Sequence, residues 1–202
     1  AFFNPREKSG FLRTLMIRNS NQGEFMVLIQ FYRENKEQRE AILNHLKDKF
    51  HLTALLYCIN SKANDTLYDQ EIIIYDGSEF ITEVMEGLKF RVNAKSFFQT
   101  NAEQAYELYK ITRKFAGLKG HELVYDLYTG TGTIALFIAG KCKKVVGVES
   151  VPEAVAVAKE NAEINGIKNT FFEVGDMRKV FNLDFINRHG VADLVITDPP
   201  RN

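Results

Sequence analysis

Apolar positions along the first third of the chain fall into short runs of strand length. Phe11–Arg18 (FLRTLMIR) and Glu24–Tyr32 (EFMVLIQFY) are rich in branched and aromatic residues, and Asn19-Ser-Asn-Gln-Gly23 between them is a turn-forming cluster. An antiparallel pair is expected there. Glu34–Phe50 changes the period: Ile42, Leu43, Leu46 and Phe50 recur on one helical face amid charge, and Thr53–Ile59 and Glu71–Tyr75 then return to strand character. Residues 1–88 thus predict a small α+β domain.

A second segment, 89–202, reads differently. Phe90-Arg-Val-Asn-Ala-Lys-Ser-Phe-Phe-Gln99 leads into Thr100-Asn-Ala-Glu103, a Thr-x-x-Glu capping box, and Ala105, Leu108, Tyr109, Thr112 and Phe115 mark one face of a helix ending near Gly117. From Glu122 the pattern is β-α-β-α-β-α-β. Strands are predicted at Leu123–Tyr128, Lys144–Val148, Thr170–Val174 and Asp193–Thr197, with helices between them at Thr133–Ala139 and after a second capping box, Ser150-Val-Pro-Glu153. Asn165-Gly166 closes that helix. Strands alternating with helices imply a parallel, Rossmann-like α/β sheet, whose ligands sit at the carboxyl ends of its strands.

Candidate chemistry gathers at those ends. Asp126-Leu-Tyr-Thr-Gly130-Thr-Gly132 occupies the first strand-to-helix turn, where glycine lets the backbone approach a ligand and the preceding Asp126 accepts from a cationic or amide group. Glu149 closes the apolar run Val145–Val148 at the end of the second strand, where a carboxylate can take both hydroxyls of a ribose. A dinucleotide site would carry Gly-x-Gly-x-x-Gly, but the third position is Ala135 and an Asp precedes the loop, so the pattern favours S-adenosylmethionine over NAD. The strand ending in Thr197-Asp-Pro-Pro-Arg201 completes the set.

Composition narrows the reading. With 202 residues, 45% of them hydrophobic, the chain can bury a core. Twenty-six basic residues balance 26 acidic ones, so a nucleic-acid surface would be a local patch rather than a global field. Cys58 and Cys142 lack the spacing of zinc or cluster ligands, and His45, His51, His121 and His189 lack metal spacing as well. No signal peptide or membrane-spanning run is apparent, so a cytoplasmic location is expected.

Phe97-Phe-Gln-Thr-Asn101, Asp126–Gly132, Gly147-Val-Glu149 and Thr197-Asp-Pro-Pro-Arg201 together resemble the ordered motifs of the RNA uracil-5 methyltransferases, which make 5-methyluridine in ribosomal and transfer RNA. Ser9–Arg18 resembles that family's central domain. The resemblance implies a methyltransferase sheet, seen in its first four strands, preceded by a small central domain. It implies S-adenosylmethionine contacts at Gln99, Tyr128, Gly130, Glu149 and Asp198, and an adenine-side contact at Asp176. Read alone, Gln99 could flank its helix cap, Tyr128 could be core and Asp176 could cap a short helix.

The implied reaction is methylation of uracil C5 in RNA, ribosomal rather than transfer, by way of a cysteine thiolate added to C6 and a base that removes the C5 proton. Both groups are expected after Asn202, so the chain reads as an inactive fragment. Arg201 replaces the aromatic residue that follows Asp-Pro-Pro in amino-group methyltransferases, which remain the alternative enzymes. A cofactor- or RNA-binding module without catalysis is the alternative from another class. Arg13, Arg18, Arg91 and Lys95 are candidate RNA contacts or solvated surface.

Overall fold

A computed structural model describes residues 1–199 of the chain. By their contacts these residues form two compact units. Ala1–Glu83 with Val92–Lys95 make the first, and Val84–Arg91 with the chain from Ser96 onward make the second.

The first unit is a mixed four-stranded sheet with one helix. Strand β1 (Leu12–Asn19) runs antiparallel to β2 (Phe25–Phe31), β2 parallel to β3 (Ala54–Ile59), and β3 antiparallel to β4 (Ile73–Gly77). The parallel step requires a crossover, and helix α1 (Lys36–Lys49) supplies it. Leu43 of α1 packs with Phe11, Val27, Ile29, Phe31 and Leu55 of the sheet, and Ile42 and Leu46 flank them. Phe50, expected on that face, instead ends the helix in extended conformation at φ −129° and is exposed.

The chain passes from one unit to the other through a hairpin that the apolar pattern did not reveal. β5 (Phe80–Met85) and β6 (Leu88–Asn93) are joined at Glu86 and Gly87, both at positive φ (48° and 83°), the conformation of a tight two-residue turn.

In the second unit, α2 (Ala102–Ala116) precedes a parallel sheet of order β10-β7-β8-β9, built from β7 (Leu123–Leu127), β8 (Lys144–Glu149), β9 (Thr170–Val174) and β10 (Leu194–Thr197). Helices α3 (Thr133–Ala139) and α4 (Pro152–Ile164) make the first two crossovers; α5 (Met177–Val180) and α6 (Leu183–His189) make the third. One face packs Val124, Val145 and Phe172 against α3 and α4; the other packs Tyr125, Val146 and Val148 against Phe185 of α6. Because both faces of β7 and β8 are covered, these two strands read as near-continuous apolar runs.

Neither expected capping box forms. Asn101, not Thr100, caps α2, its side-chain oxygen accepting from the Gln104 amide at 3.0 Å; asparagine is as good a cap as threonine and stands one residue nearer. Helix α4 begins at Pro152 behind Val151, with no side-chain cap, and the Ser150 hydroxyl turns to Glu149 instead. On α2 only Ala105 and Tyr109 are buried; Leu108 and Phe115 face outward. The C-terminus of α2 does fall at Gly117, left-handed at φ 57°.

Candidate cofactor site

The turn after β7 is shaped by departures from ordinary backbone at three alternate residues. Tyr128, Gly130 and Gly132 lie at φ 62°, 56° and 79°. The last two need glycine for different reasons. A Cβ on Gly130 would meet nothing within 4 Å, so its outer side is open; a Cβ on Gly132 would lie 2.9 Å from Phe172 Cζ and 3.0 Å from Ala158 Cβ. Tyr128 adopts the left-handed region without glycine's freedom, which costs roughly 1–2 kcal/mol and turns its half-exposed ring out of the strand end.

Asp126 holds this loop from beneath. Its buried carboxylate accepts from the Thr129 hydroxyl at 2.6 Å and from the Ala135 amide of α3 at 3.1 Å. Burial pushes its pKa up to about 7 against those two hydrogen bonds, and the Asp198 charge adds to the rise. Asp126 therefore faces the protein interior as a brace. Burial likewise pushes the phenol of Tyr109 up to about 12, with smaller contributions from Asp198 and Asp126.

Glu149 stands across the loop at the tip of β8. One carboxylate oxygen accepts from the Gly130 amide at 3.1 Å; the other accepts from the amides of Ser150 at 2.7 Å and Val151 at 3.0 Å and from the Ser150 hydroxyl at 3.0 Å. Four donors fix the carboxylate in one orientation. Gly147 makes room for the packed side chains behind it: a Cβ there would fall 2.6 Å from Phe172 Cδ1 and 2.9 Å from Thr129 Cγ2.

The remaining expected residues are placed unequally. Asp176 follows Gly175, whose amide bonds the Glu149 carbonyl at 2.8 Å, so it lies beside Glu149; its side chain caps α5 by accepting from the Arg178 amide at 2.9 Å. Asp198 is exposed at the tip of β10, its amide 3.5 Å from the Leu127 carbonyl and so next to Tyr128. Tyr128, Gly130, Glu149, Asp176 and Asp198 thus share the carboxyl ends of adjacent strands. Gln99 is half-buried ahead of α2, and among the described residues no hydrogen bond ties it to the other five. Pro200 and Arg201 of the Asp-Pro-Pro-Arg motif lie outside the described residues.

One supporting residue left only a faint signal in the sequence pattern. Asn161, wholly buried on α4, accepts from the Arg91 amide at 2.8 Å and donates to the Thr131 carbonyl at 3.2 Å, tying the glycine loop to β6. An asparagine on an otherwise apolar helix face was its only trace.

Neither cysteine offers a nucleophile to this site. Both are buried, and burial pushes each thiol up to about 11; the Cys142 thiol points to the carbonyls of Ile138 and Ala139. Among the described residues no cluster of three metal-ligating side chains occurs, and no helix is long and apolar enough to cross a membrane. The four cations singled out as RNA contacts are engaged. Arg13 donates to the carbonyls of Asn60, Lys62 and Asn64, Arg18 is largely buried with its pKa lowered by that burial, Arg91 pairs with Glu160, and Lys95 donates to the Tyr68 carbonyl.

Comparison with known proteins points the same way. A protein of Porphyromonas gingivalis, named an uncharacterized RNA methyltransferase, is 56% identical over 201 residues, which cover 99% of this chain and 43% of that protein. One of the same name from Bacteroides thetaiotaomicron is 51% identical over 205 residues, covering 100% of this chain and 45% of its relative. The chain spans less than half the length of these relatives. Among solved structures, the Pyrococcus abyssi tRNA (uracil-54, C5)-methyltransferase in complex with S-adenosyl-L-homocysteine matches 98% of this chain and 46% of its own, with a TM-score of 0.79 and 29% identity. Residues 118–200 match the family model of a methyltransferase domain, and the glycine loop, the Glu149 tip and the parallel sheet behind them have the Rossmann-like fold of S-adenosylmethionine-dependent methyltransferases.

Proposed function

We propose that the protein is an S-adenosylmethionine-dependent RNA methyltransferase that acts on C5 of uracil. The observation that carries this reading is the Glu149 carboxylate, held by four donors at the tip of β8 and bonded across the glycine loop to the Gly130 amide. A fixed acceptor at that tip suits the paired hydroxyls of a ribose, and the open side of Gly130 gives a nucleoside room against the backbone. The residues present fit the cofactor: Glu149 would take its ribose, Asp176 its adenine side, and Gln99, Tyr128 and Asp198 its methionine end or nearby edges. When bound, the cofactor supplies an electrophilic methyl group.

The choice of uracil C5 rests on the Phe97–Asn101 and Thr197–Arg201 motifs and on the 29% identity to an enzyme named for that position of tRNA. Ribosomal RNA as substrate comes from the family resemblance alone. With both cysteines buried as protonated thiols, we place the attacking thiolate outside residues 1–202.

Calorimetric titration with S-adenosylhomocysteine tests the cofactor half. The chain should bind it, and Glu149→Gln should weaken binding about ten- to a hundredfold, the loss of charge-assisted hydrogen bonds worth roughly 1.5–3 kcal/mol. Equal affinities would remove Glu149 from the site, and preferential NAD binding would end the methyltransferase reading. For the base, RNA carrying 5-fluorouracil should form a denaturant-resistant adduct with a longer polypeptide containing this chain but not with residues 1–202. Trapping by residues 1–202 would show that one of the two buried cysteines reacts after all. Methyl transfer to an exocyclic amine would select the amino-group alternative.

A further inference from the structure

Helix α4 carries an amide where its buried neighbours are apolar. Val155, Val157, Ala158 and Ala162 are buried on α4, and Asn161 lies among them with no exposure at all. Burying an amide costs free energy unless its polar atoms are bonded. Here both are: the oxygen accepts from the Arg91 amide at 2.8 Å, and the nitrogen donates to the Thr131 carbonyl at 3.2 Å. Four residues on, Asn165 accepts from the Lys89 amide at 2.8 Å and donates to the carbonyls of Lys89 and Asn161. Four helical residues rise about 6 Å and two strand residues about 6.6 Å. The pair therefore meets alternate residues along the edge of β6 as a neighbouring strand would, and of the two only Asn161 also bonds the glycine loop.

What Asn161 holds there is a peptide that glycine would otherwise leave free to turn. The plane between Thr131 and Gly132 has its amide bonded to the Thr129 carbonyl at 2.9 Å and its carbonyl bonded by Asn161. Gly132 sits at φ 79°, and its permissive backbone offers other orientations at little cost. The Gly130 amide, two peptides earlier, donates to Glu149, so a rotation at Thr131–Gly132 would be felt at the carboxylate assigned to the ribose. The bond from Arg91 in turn fixes which way the Asn161 amide faces. Turned end for end, that amide would set donor against donor at Arg91 and acceptor against acceptor at Thr131.

We propose that Asn161 is a positioning residue for the cofactor: anchored on β6, it locks the Thr131–Gly132 peptide in the orientation that presents Gly130 and Glu149 to the nucleoside. Wholly buried, it acts through the loop and touches no ligand itself. The inference rests on the cofactor reading given above. A residue that served only the packing of α4 would stabilise the protein and leave the affinity of its folded form unchanged, whereas a positioning residue sets that affinity. Asn165 separates the two roles, because it clamps the same strand and makes no bond to the loop.

Calorimetric titration of residues 1–202 with S-adenosylhomocysteine, the affinity referred to the folded fraction, tests it. Asn161→Ala should bind about tenfold more weakly, and Asn165→Ala within about twofold of the unaltered chain. Asn161→Asp keeps an acceptor for Arg91; ionised, it sets a second acceptor against the Thr131 carbonyl, and protonation restores a donor there. Its affinity relative to the unaltered chain should therefore be lowest near about pH 8.5 and recover to within about threefold near about pH 5.5, while that of Asn161→Ala stays low at both. In the unaltered chain, where no variant has to fold, S-adenosylhomocysteine should slow exchange of the Arg91 amide about threefold more than that of Lys89, whose acceptor Asn165 makes no bond to the loop. Full affinity in folded Asn161→Ala, an equal loss in Asn165→Ala, an Asn161→Asp deficit that ignores pH, or equal protection of Arg91 and Lys89 overturns the assignment and leaves the cofactor reading standing. Failure of the unaltered chain to bind S-adenosylhomocysteine overturns both.

Discussion

The two ends of the four-stranded parallel sheet carry opposite chemistry and use their side chains in opposite ways. At the carboxyl ends, Asp126, Glu149 and Asp176 each accept from main-chain amides, and glycine is required wherever Phe172 or a ligand comes close. At the amino ends, Lys114 and Lys141 stand exposed around a depression with little to hold them. Side chains tied to backbone are pre-organised and suit one small molecule of fixed shape. Untied lysines are adaptable point charges with nothing to fix one geometry. A change at the first end should therefore act on folding and cofactor together, and a change at Lys114 or Lys141 should leave folding almost unaltered.

The largest expected effects separate two glycines of one loop. Gly132→Ala places a Cβ 2.9 Å from Phe172 Cζ at φ 79°, so overpacking and left-handed strain add to about 3 kcal/mol of lost stability in urea denaturation. Gly130→Ala meets no neighbour and should cost only the strain, about 1 kcal/mol, yet it fills the open side of the site and should abolish S-adenosylhomocysteine binding. If Gly130→Ala binds as well as the unaltered chain, the ligand does not approach the backbone there.

Asn161→Ala comes next. It strands the Arg91 amide and the Thr131 carbonyl, and unmade bonds to buried groups place the cost at about 2 kcal/mol. Because Thr131 lies between the two glycines, amide exchange in residues 128–132 should accelerate in this variant more than in β1–β4. Uniform acceleration across both units would show that Asn161 supports the fold at large and not the loop.

Asp126 gives the acidic end a pH dependence of unusual sign. Its folded pKa, about 7, lies above the unfolded value of 3.8, so the native state binds the proton more tightly. Its contribution is fully present below pH 3.8 and is lost as pH rises toward 7, with a slope of at most about 1.4 kcal/mol per pH unit. Asp126→Asn, which keeps an acceptor for the Ala135 amide, should flatten stability between pH 4 and 7 relative to the unaltered chain. A slope that survives the substitution would assign the proton to another group.

How much of this was legible in the sequence follows from where each signal resides. The β-α alternation from Leu123 onward and the Asn165-Gly166 stop are local patterns, and the elements fall where those patterns put them. The β5–β6 hairpin was missed because its turn, Glu86-Gly87, is a weak dipeptide and its strands alternate with charge. Leu108 and Phe115 satisfy helical periodicity yet face outward, because periodicity finds a ridge but cannot say what covers it. Glu149 was visible as a strand-end carboxylate, whereas its four donors come from Gly130, Ser150 and Val151, a convergence of two strand tips that no single window contains. Asn161 pairs with residues 30 and 70 positions away. Local chemistry was readable, and contacts made by the topology were not.

The smallest expected effect is the one that sharpens the contrast between the ends. Glu86 takes both guanidinium nitrogens of Arg113 and the Tyr106 hydroxyl, and the hydrogen bond from Arg113 above all pushes its carboxyl down to about 2. The pair is a quarter to a third exposed, so its worth is under about 1 kcal/mol. That contribution is present above the ordinary glutamate pKa of 4.5 and is lost as pH falls toward 2, so the stabilities of the unaltered chain and of Glu86→Gln should differ slightly at pH 7 and converge in acid. A stability difference that persists unchanged at pH 2 would mean that Glu86 acts other than through its charge.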